Sequence, residues 1–272
     1  EIPTIPDIVV KVMQLTRDPD ASAKQLTAAI SNDPGLTGNL LRLCNSAYYG
    51  IPRVVSSLNQ AVMYLGFHTV RNLVLTCSVS RFFNPGKQIY GYVKGGLWYH
   101  SVASAIACEQ LCKKIRSGLQ DTAFTAGLLH DVGQLIMGTA IKDTADTILD
   151  LMKNGRLSLL DAEQEAVGFS HEELGAVLAD QWNFPDELIQ AIRYHHDPEQ
   201  APGVSHLPAI VHVANAIVLD LGYGVEVEEM KHPAKPDAMR MIGVTPEMMD
   251  EFKAHIEELV TQNAPNFLSM TE

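Results

Sequence analysis

His130-Asp131 closes the apolar run Ala126-Gly127-Leu128-Leu129 and is followed by Val132-Gly133, so two hard polar side chains interrupt a stretch that reads as buried. A histidine nitrogen beside a carboxylate can hold a divalent cation: the carboxylate offsets charge and the imidazole gives directional coordination. Other histidines stand at analogous places on apolar helical runs. His100 shares a stripe with Ala103, Ala107 and Leu111; His171 follows a capping Ser170; His195 continues the face of Leu188 and Ile192, with His196 one step round. Taken singly, each is more often a hydrogen-bonded core histidine or a helix cap than a ligand. Together they are a different case. An unpaired buried polar group costs about 1–3 kcal/mol, and a shared cation would satisfy all of them at once. The candidate ligand set is therefore His100, His130, Asp131, His171, His195 and His196, and the cofactor it would take is a divalent transition metal, iron, manganese or similar. His68, His206, His232 and His255 lack such a setting and read as surface or packing residues.

The elements that must position these groups are helices. Ser22 with Gln25 fits a capping box, Asp33-Pro34 an N-cap and first-turn proline, and Leu36, Leu40, Leu43 and Ala47 a stripe ending at Gly50. A unit from Ser57 to Gly66 and a helix from about Thr69 complete an N-terminal lobe. Asn84-Pro85-Gly86 is the clearest break. Beyond it, helices are expected over 97–115, 122–129 and 141–153, after the capping box Ser170 to Glu173, after Pro185, and over 207–221. Only Gly224 to Glu228 alternates like a strand, too briefly to define a sheet. The expected fold is all-α, with a lobe at 1–84, a second at 85–222 carrying the histidine/aspartate cluster, and a C-terminal helical extension at 223–272 whose tail from Asn263 to Glu272 is expected to fray.

Composition narrows the function classes. The chain has 32 acidic and 20 basic residues, a formal net charge of −12, which disfavours nucleic-acid phosphates and anionic lipid. No apolar run reaches the roughly 18 residues of a membrane helix, and no basic-then-apolar leader is present. Cys44, Cys77, Cys108 and Cys112 lie within apolar helical runs rather than at framework spacings, as expected of reduced core thiols in a cytoplasmic protein. No Gly-rich phosphate loop or nucleophile elbow is found. The chain begins at Glu1, so an upstream sensor or receiver domain is compatible with it.

The stretch GLLHDVGQL, Gly127 to Leu135, resembles the defining motif of HD-domain proteins, and His100 in LWYHSVASA resembles the earlier metal histidine of that superfamily. The runs IPTIPDIVVKVMQLTRDPDAS, SNDPGLTGNLLRLCNSAYYG and VSSLNQAVMYLGFHTVRNLVL are similar to the HDOD family in particular, across most of residues 2–215. The resemblance implies an all-helical HD-superfamily fold with an additional N-terminal helical lobe, serving as an output or regulatory module in bacterial signalling, often without catalysis. It extends in part to HD-GYP phosphodiesterases, which hydrolyse cyclic dinucleotides at a multi-metal centre. There His130-Asp131 matches the central pair, His171 the next histidine and His195-His196 the later pair.

Two departures from the enzymes stand out. No Gly-Tyr-Pro signature follows His196, and Asn215 in VHVANAIV occupies the place of the final aspartate. An amide removes a negative charge and leaves a weaker oxygen ligand. No basic residue is obviously placed as a phosphate clamp; Arg193 and Lys142 are the candidates, and solvated helix faces are the expected home of both. The favoured expectation is a non-catalytic module that engages protein partners in a signalling pathway. The alternatives are a metal-dependent phosphohydrolase acting on a nucleotide or cyclic dinucleotide, and a metal or redox sensor.

Overall fold

Helix starts are fixed by local side-chain chemistry. The structure, a computed structural model, describes residues 6–18, 21–80, 89–140 and 144–268. The chain divides into two compact units, one of Glu1–Asn84 with Leu259–Glu272 and one of Pro85–Glu258.

The first unit comprises α1 (Asp7–Arg17), α2 (Ala23–Ile30), α3 (Pro34–Cys44), α4 (Leu58–Leu65), α5 (Phe67–Val79) and the end of a long last helix, α15 (Pro246–Leu268). Ser22 and Gln25 form the reciprocal capping box of α2, and Asp33 accepts from Leu36 N at the start of α3. The stripe expected to run through Ala47 stops early. Asn45 donates to the Leu41 carbonyl and exchanges two hydrogen bonds with the Val55 backbone at 2.7 and 2.9 Å. The chain leaves α3 at Cys44, and Ala47 is exposed in a 3-10 turn. The Tyr48 ring packs edge-on against Tyr49 and Phe267. The expected fraying of the tail is corrected over its first six residues. Helix α15 continues to Leu268 because Asn263, Ala264 and Phe267 are buried. The remainder lies outside the described residues, as do Asn84-Pro85-Gly86 and Lys142.

The second unit comprises α6 (Gly96–Ile115), α7 (Gln120–Leu129), α8 (Val132–Ala140), α9 (Ala145–Lys153), α10 (Leu159–Val167), α11 (His171–Gln181), α12 (Asp186–Tyr194), α13 (Leu207–Asp220), α14 (Pro236–Ile242) and the first part of α15. Among the described residues there is no strand, only a bridge between Tyr92 and Val225. The all-α expectation holds. Helices α8 and α10 were not among the expected elements, being uniformly apolar or short. Helix α6 packs on α7 and α13, and α11 packs on α8 and α12. In α13, Leu207 to Leu219 are all buried, which an amphipathic surface helix would not allow.

Candidate metal centre

Helix ends converge on one point of the second unit. His130 caps the C-terminus of α7, Asp131 lies in the turn to α8, His171 opens α11, and His195 caps α12 beside His196. His100 comes from the interior of α6. Terminal residues can direct polar side chains into a core without interrupting a helical ladder. Close backbone packing brings the ends together. A Cβ on Gly133 of α8 would lie 1.9 Å from the His171 carbonyl oxygen, and one on Gly127 of α7 would lie 2.6 Å from the Ser104 carbonyl oxygen. Only glycine permits these approaches.

All six candidate residues are brought together. Asp131 stands at the middle, its Oδ2 3.5 Å from His100 Nε2 and 3.2 Å from His130 Nε2, its Oδ1 3.5 Å from His171 Nε2 and 3.4 Å from His195 Nε2. His100 Nε2 and His130 Nε2 are 3.3 Å apart, and His171 Nε2 and His195 Nε2 are 3.5 Å apart. Two donor groups result, His100/His130/Asp131 and His171/His195/His196, each with its ligand atoms within 4.8 Å of one another. His196 is half-buried and the other five are buried.

The partners of the opposite ring nitrogens decide what these groups can do. His130 Nδ1 donates to the Gly127 carbonyl and His195 Nδ1 to the Ile192 carbonyl, both at 2.8 Å, while His171 Nδ1 meets Glu163 Oε2 at 2.8 Å. Burial first, and the neighbouring imidazolium groups with it, pushes His195 down to about 3, and burial pushes His100 down to about 4. Both rings are neutral near pH 7. In His195 the Nδ1 carries the proton, so its Nε2 lone pair points at an Asp131 carboxylate oxygen. Acceptor facing acceptor is unfavourable unless a positive species lies between them. These residues could hold a metal.

The surrounding electrostatics agree. Burial acts to raise Asp131, but the imidazoles of His130, His195 and His171 hold it well below the usual carboxylate range. Burial acts to lower His171, but Glu163 overrides this and lifts it to about 9. Burial also holds His196 well below the usual histidine value. His100 Nδ1 and Asn215 Oδ1 are both buried without a hydrogen bond of normal geometry, although Asn215 and the Tyr223 backbone are polar groups that act on His100. Arg193 lies instead at a shallow depression with Ser170, Glu172 and Glu173.

Several residues in this network carried no sequence signal that was used. Tyr92 donates to Asp131 Oδ2 at 2.9 Å, and Tyr90 donates to Glu163 Oε1 at 2.6 Å. Glu163 also accepts from the His171 backbone at 2.8 Å. Glu172 accepts from His196 N at 3.0 Å. A fully buried glutamate is rare without a partner, and Glu163, eight residues before His171, was the most legible of these. His212 and His232 were also missed: the His232 ring is 5.3 Å from that of His196 and 5.4 Å from that of His212.

Comparison with known proteins now settles the family. Residues 2–198 match the HDOD domain family. The chain belongs to the HDOD family. Two solved structures share its fold across nearly the whole length. An HDOD domain protein of unknown function from Geobacter sulfurreducens is 26% identical, with 95% of this chain and 93% of that chain covered and a TM-score of 0.73. A protein from Shewanella amazonensis SB2B, provisionally described as a phosphohydrolase, is 25% identical, with coverage of 99% and 95% and a TM-score of 0.77. An uncharacterized protein of Treponema pallidum (strain Nichols) is 27% identical over 209 residues, 74% of this HDOD chain, which spans only 39% of that relative's length.

Proposed function

We propose that this HDOD chain is a regulatory module in which a divalent transition metal, held by His100, His130, Asp131, His171, His195 and His196, fixes the meeting of four helix ends. In this reading its surface engages partner proteins in a signalling pathway and it performs no catalysis. Enclosure is the observation that carries it. His100, His130, His171 and His195 are 0% exposed and Asp131 3%, and the Tyr92 hydroxyl donates to Asp131 Oδ2. A bound metal would supply positive charge and Lewis acidity there. The chain's own groups hold it in place rather than present a reactant: Glu163 orients His171, and the Gly127 and Ile192 carbonyls orient His130 and His195. Asn215 beside His100 adds no negative charge. The four cysteines are buried and none is in a disulfide, which suits a reducing cytoplasm. Among the described residues no helix is long and apolar enough to cross a membrane.

A second reading, a phosphohydrolase acting on a nucleotide or cyclic dinucleotide, is favoured by one observation. A cavity of about 600 Å³ reaches His196, with Lys231 and Lys235 on its wall. Both lysines are already paired, Lys231 with Glu228 at 2.9 Å and Lys235 with Asp197 and Glu199, so a phosphate would compete with these carboxylates for them.

Elemental analysis of the purified chain beside His130→Ala and Asp131→Ala, with a phosphodiesterase assay in added manganese or iron, separates the two. Metal without turnover, lost in both variants, is the expected result. Turnover that depends on His130 and Asp131 overturns the non-catalytic reading, and turnover found only in Asn215→Asp marks a decayed enzyme.

A further inference from the structure

A helix leaves its last carbonyls without partners of its own, and at the end of α12 two of them are answered by imidazoles. The Ile192 carbonyl accepts from His195 Nδ1 and the His195 carbonyl accepts from His212 Nδ1, both at 2.8 Å. The other nitrogen of His212, Nε2, accepts from Lys235 N at 3.0 Å. A backbone N–H can only donate, so His212 Nε2 is bare and the one ring proton sits on Nδ1. His212 is 1% exposed, which keeps water from replacing either bond. One buried ring thus ties the turn that carries His195 and His196 to the segment between the 3-10 turn Glu228–Met230 and α14. The segment meets that turn again on its outer side. The His232 ring stacks on His212 and lies edge-on to His196, and Lys235 Nζ reaches Asp197 and Glu199. Half-exposed ion pairs of this kind contribute little; a buried hydrogen bond left half-made costs about 1–3 kcal/mol, so the ring is the stronger tie.

We infer that His212 is a positioning residue of the metal centre, and that it couples a cation held by His195 and His196 to the order of residues 231–235. With those two ligands engaged, the end of α12 is fixed, and with it the carbonyl that His212 answers; the ring so placed holds Lys235 N–H. Coupling of this kind is reciprocal, so order in residues 231–235 also strengthens the hold on the cation. Lys231, Pro233 and Lys235 line the cavity that reaches His196, so the presence of metal is expressed in the shape of that cavity. His212 lies beyond the matched residues 2–198, and the family resemblance does not supply this role. The inference rests on the metal-holding reading above.

Zinc(II), which is diamagnetic, is the probe. Hydrogen exchange at Lys235 N, followed by NMR in the full chain, reads the bridge directly, with Asn154 N, bonded to the Asp150 carbonyl at the end of α9, as the reference. Zinc should slow exchange at Lys235 at least about fivefold more than at Asn154. In His212→Leu that difference disappears, and zinc affinity, read by competition with a chromophoric chelator, falls about tenfold. His212→Gln keeps one donor and one acceptor and recovers most of both, a rescue to which a packing defect would not respond. Zinc bound by the wild type without the extra slowing at Lys235 overturns this inference alone, as does wild-type affinity and slowing in His212→Leu, or equal loss in the leucine and glutamine variants. No zinc bound by the wild type overturns the metal-holding reading and this inference with it. Should the leucine variant not fold, the exchange comparison in the wild type carries the test.

Discussion

The Tyr92 hydroxyl donates at 2.9 Å to Asp131 Oδ2, the same oxygen that faces His100 and His130. Burial, then the charge of Asp131, raises the Tyr92 phenol well above its ordinary value, so it stays a donor throughout the working pH range. A hydrogen bond to a charged acceptor contributes about 1.5–3 kcal/mol. Tyr92→Phe should lower the stability of chelator-stripped protein by that amount, measured by urea unfolding.

Glu163 accepts from His171 Nδ1, His171 N and Tyr90. Glu163→Gln keeps the shape and removes the charge. Metal affinity, read by competition with a chromophoric chelator, should fall about 10–100-fold. Unchanged affinity would mean that the His171 ring is held by packing alone.

Chelator-stripped protein should be most stable near pH 6.5 as far as these histidines decide. His100 and His195 are lowered to about 4 and about 3, so below 6.5 the unfolded chain binds protons that the folded chain refuses. Stability then falls with acid, by about 1.4 kcal/mol per pH unit for each histidine. His171 is raised to about 9. Its contribution is fully present below 6.5 and is lost as pH rises toward 9. Melting temperatures across pH 4–9 test both slopes.

Gly133→Ala forces a Cβ to within 1.9 Å of the His171 carbonyl and should destabilise by 3 kcal/mol or more, at or above the upper end of the usual overpacking cost of about 1–3 kcal/mol. Gly38→Ala, in the exposed face of α3 with nothing within 4 Å, should stabilise by about 0.5–1 kcal/mol. Thermal melts of the two variants should therefore move in opposite directions.

The fold class and the six donors were legible because caps and apolar stripes are local signals. The reciprocal capping box at Ser170 and Glu173 places His171 at a helix start, and the apolar run before His130 implies its burial. What escaped was whatever depended on non-local packing. Tyr92 lies 39 residues from Asp131 and His212 17 from His195, and nothing in their neighbourhoods marks the pairing. His232 reads as a loop residue among prolines and lysines; its ring contacts with His212 and His196 make it part of the cluster. Helix α8 was missed because a uniformly apolar stretch has no periodicity to detect.

The match to the family stops at 198, but the packing does not. The His195 carbonyl is answered by His212, and His212 in turn by Lys235, while α13 is buried over Leu207 to Leu219. A chain cut where the family match ends would uncover the faces of α6 and α7 against which α13 lies and leave the His195 carbonyl without its His212 donor. Residue 198 is thus where the family match ends and not where the packing ends: hydrogen bonds carry it on to Lys235.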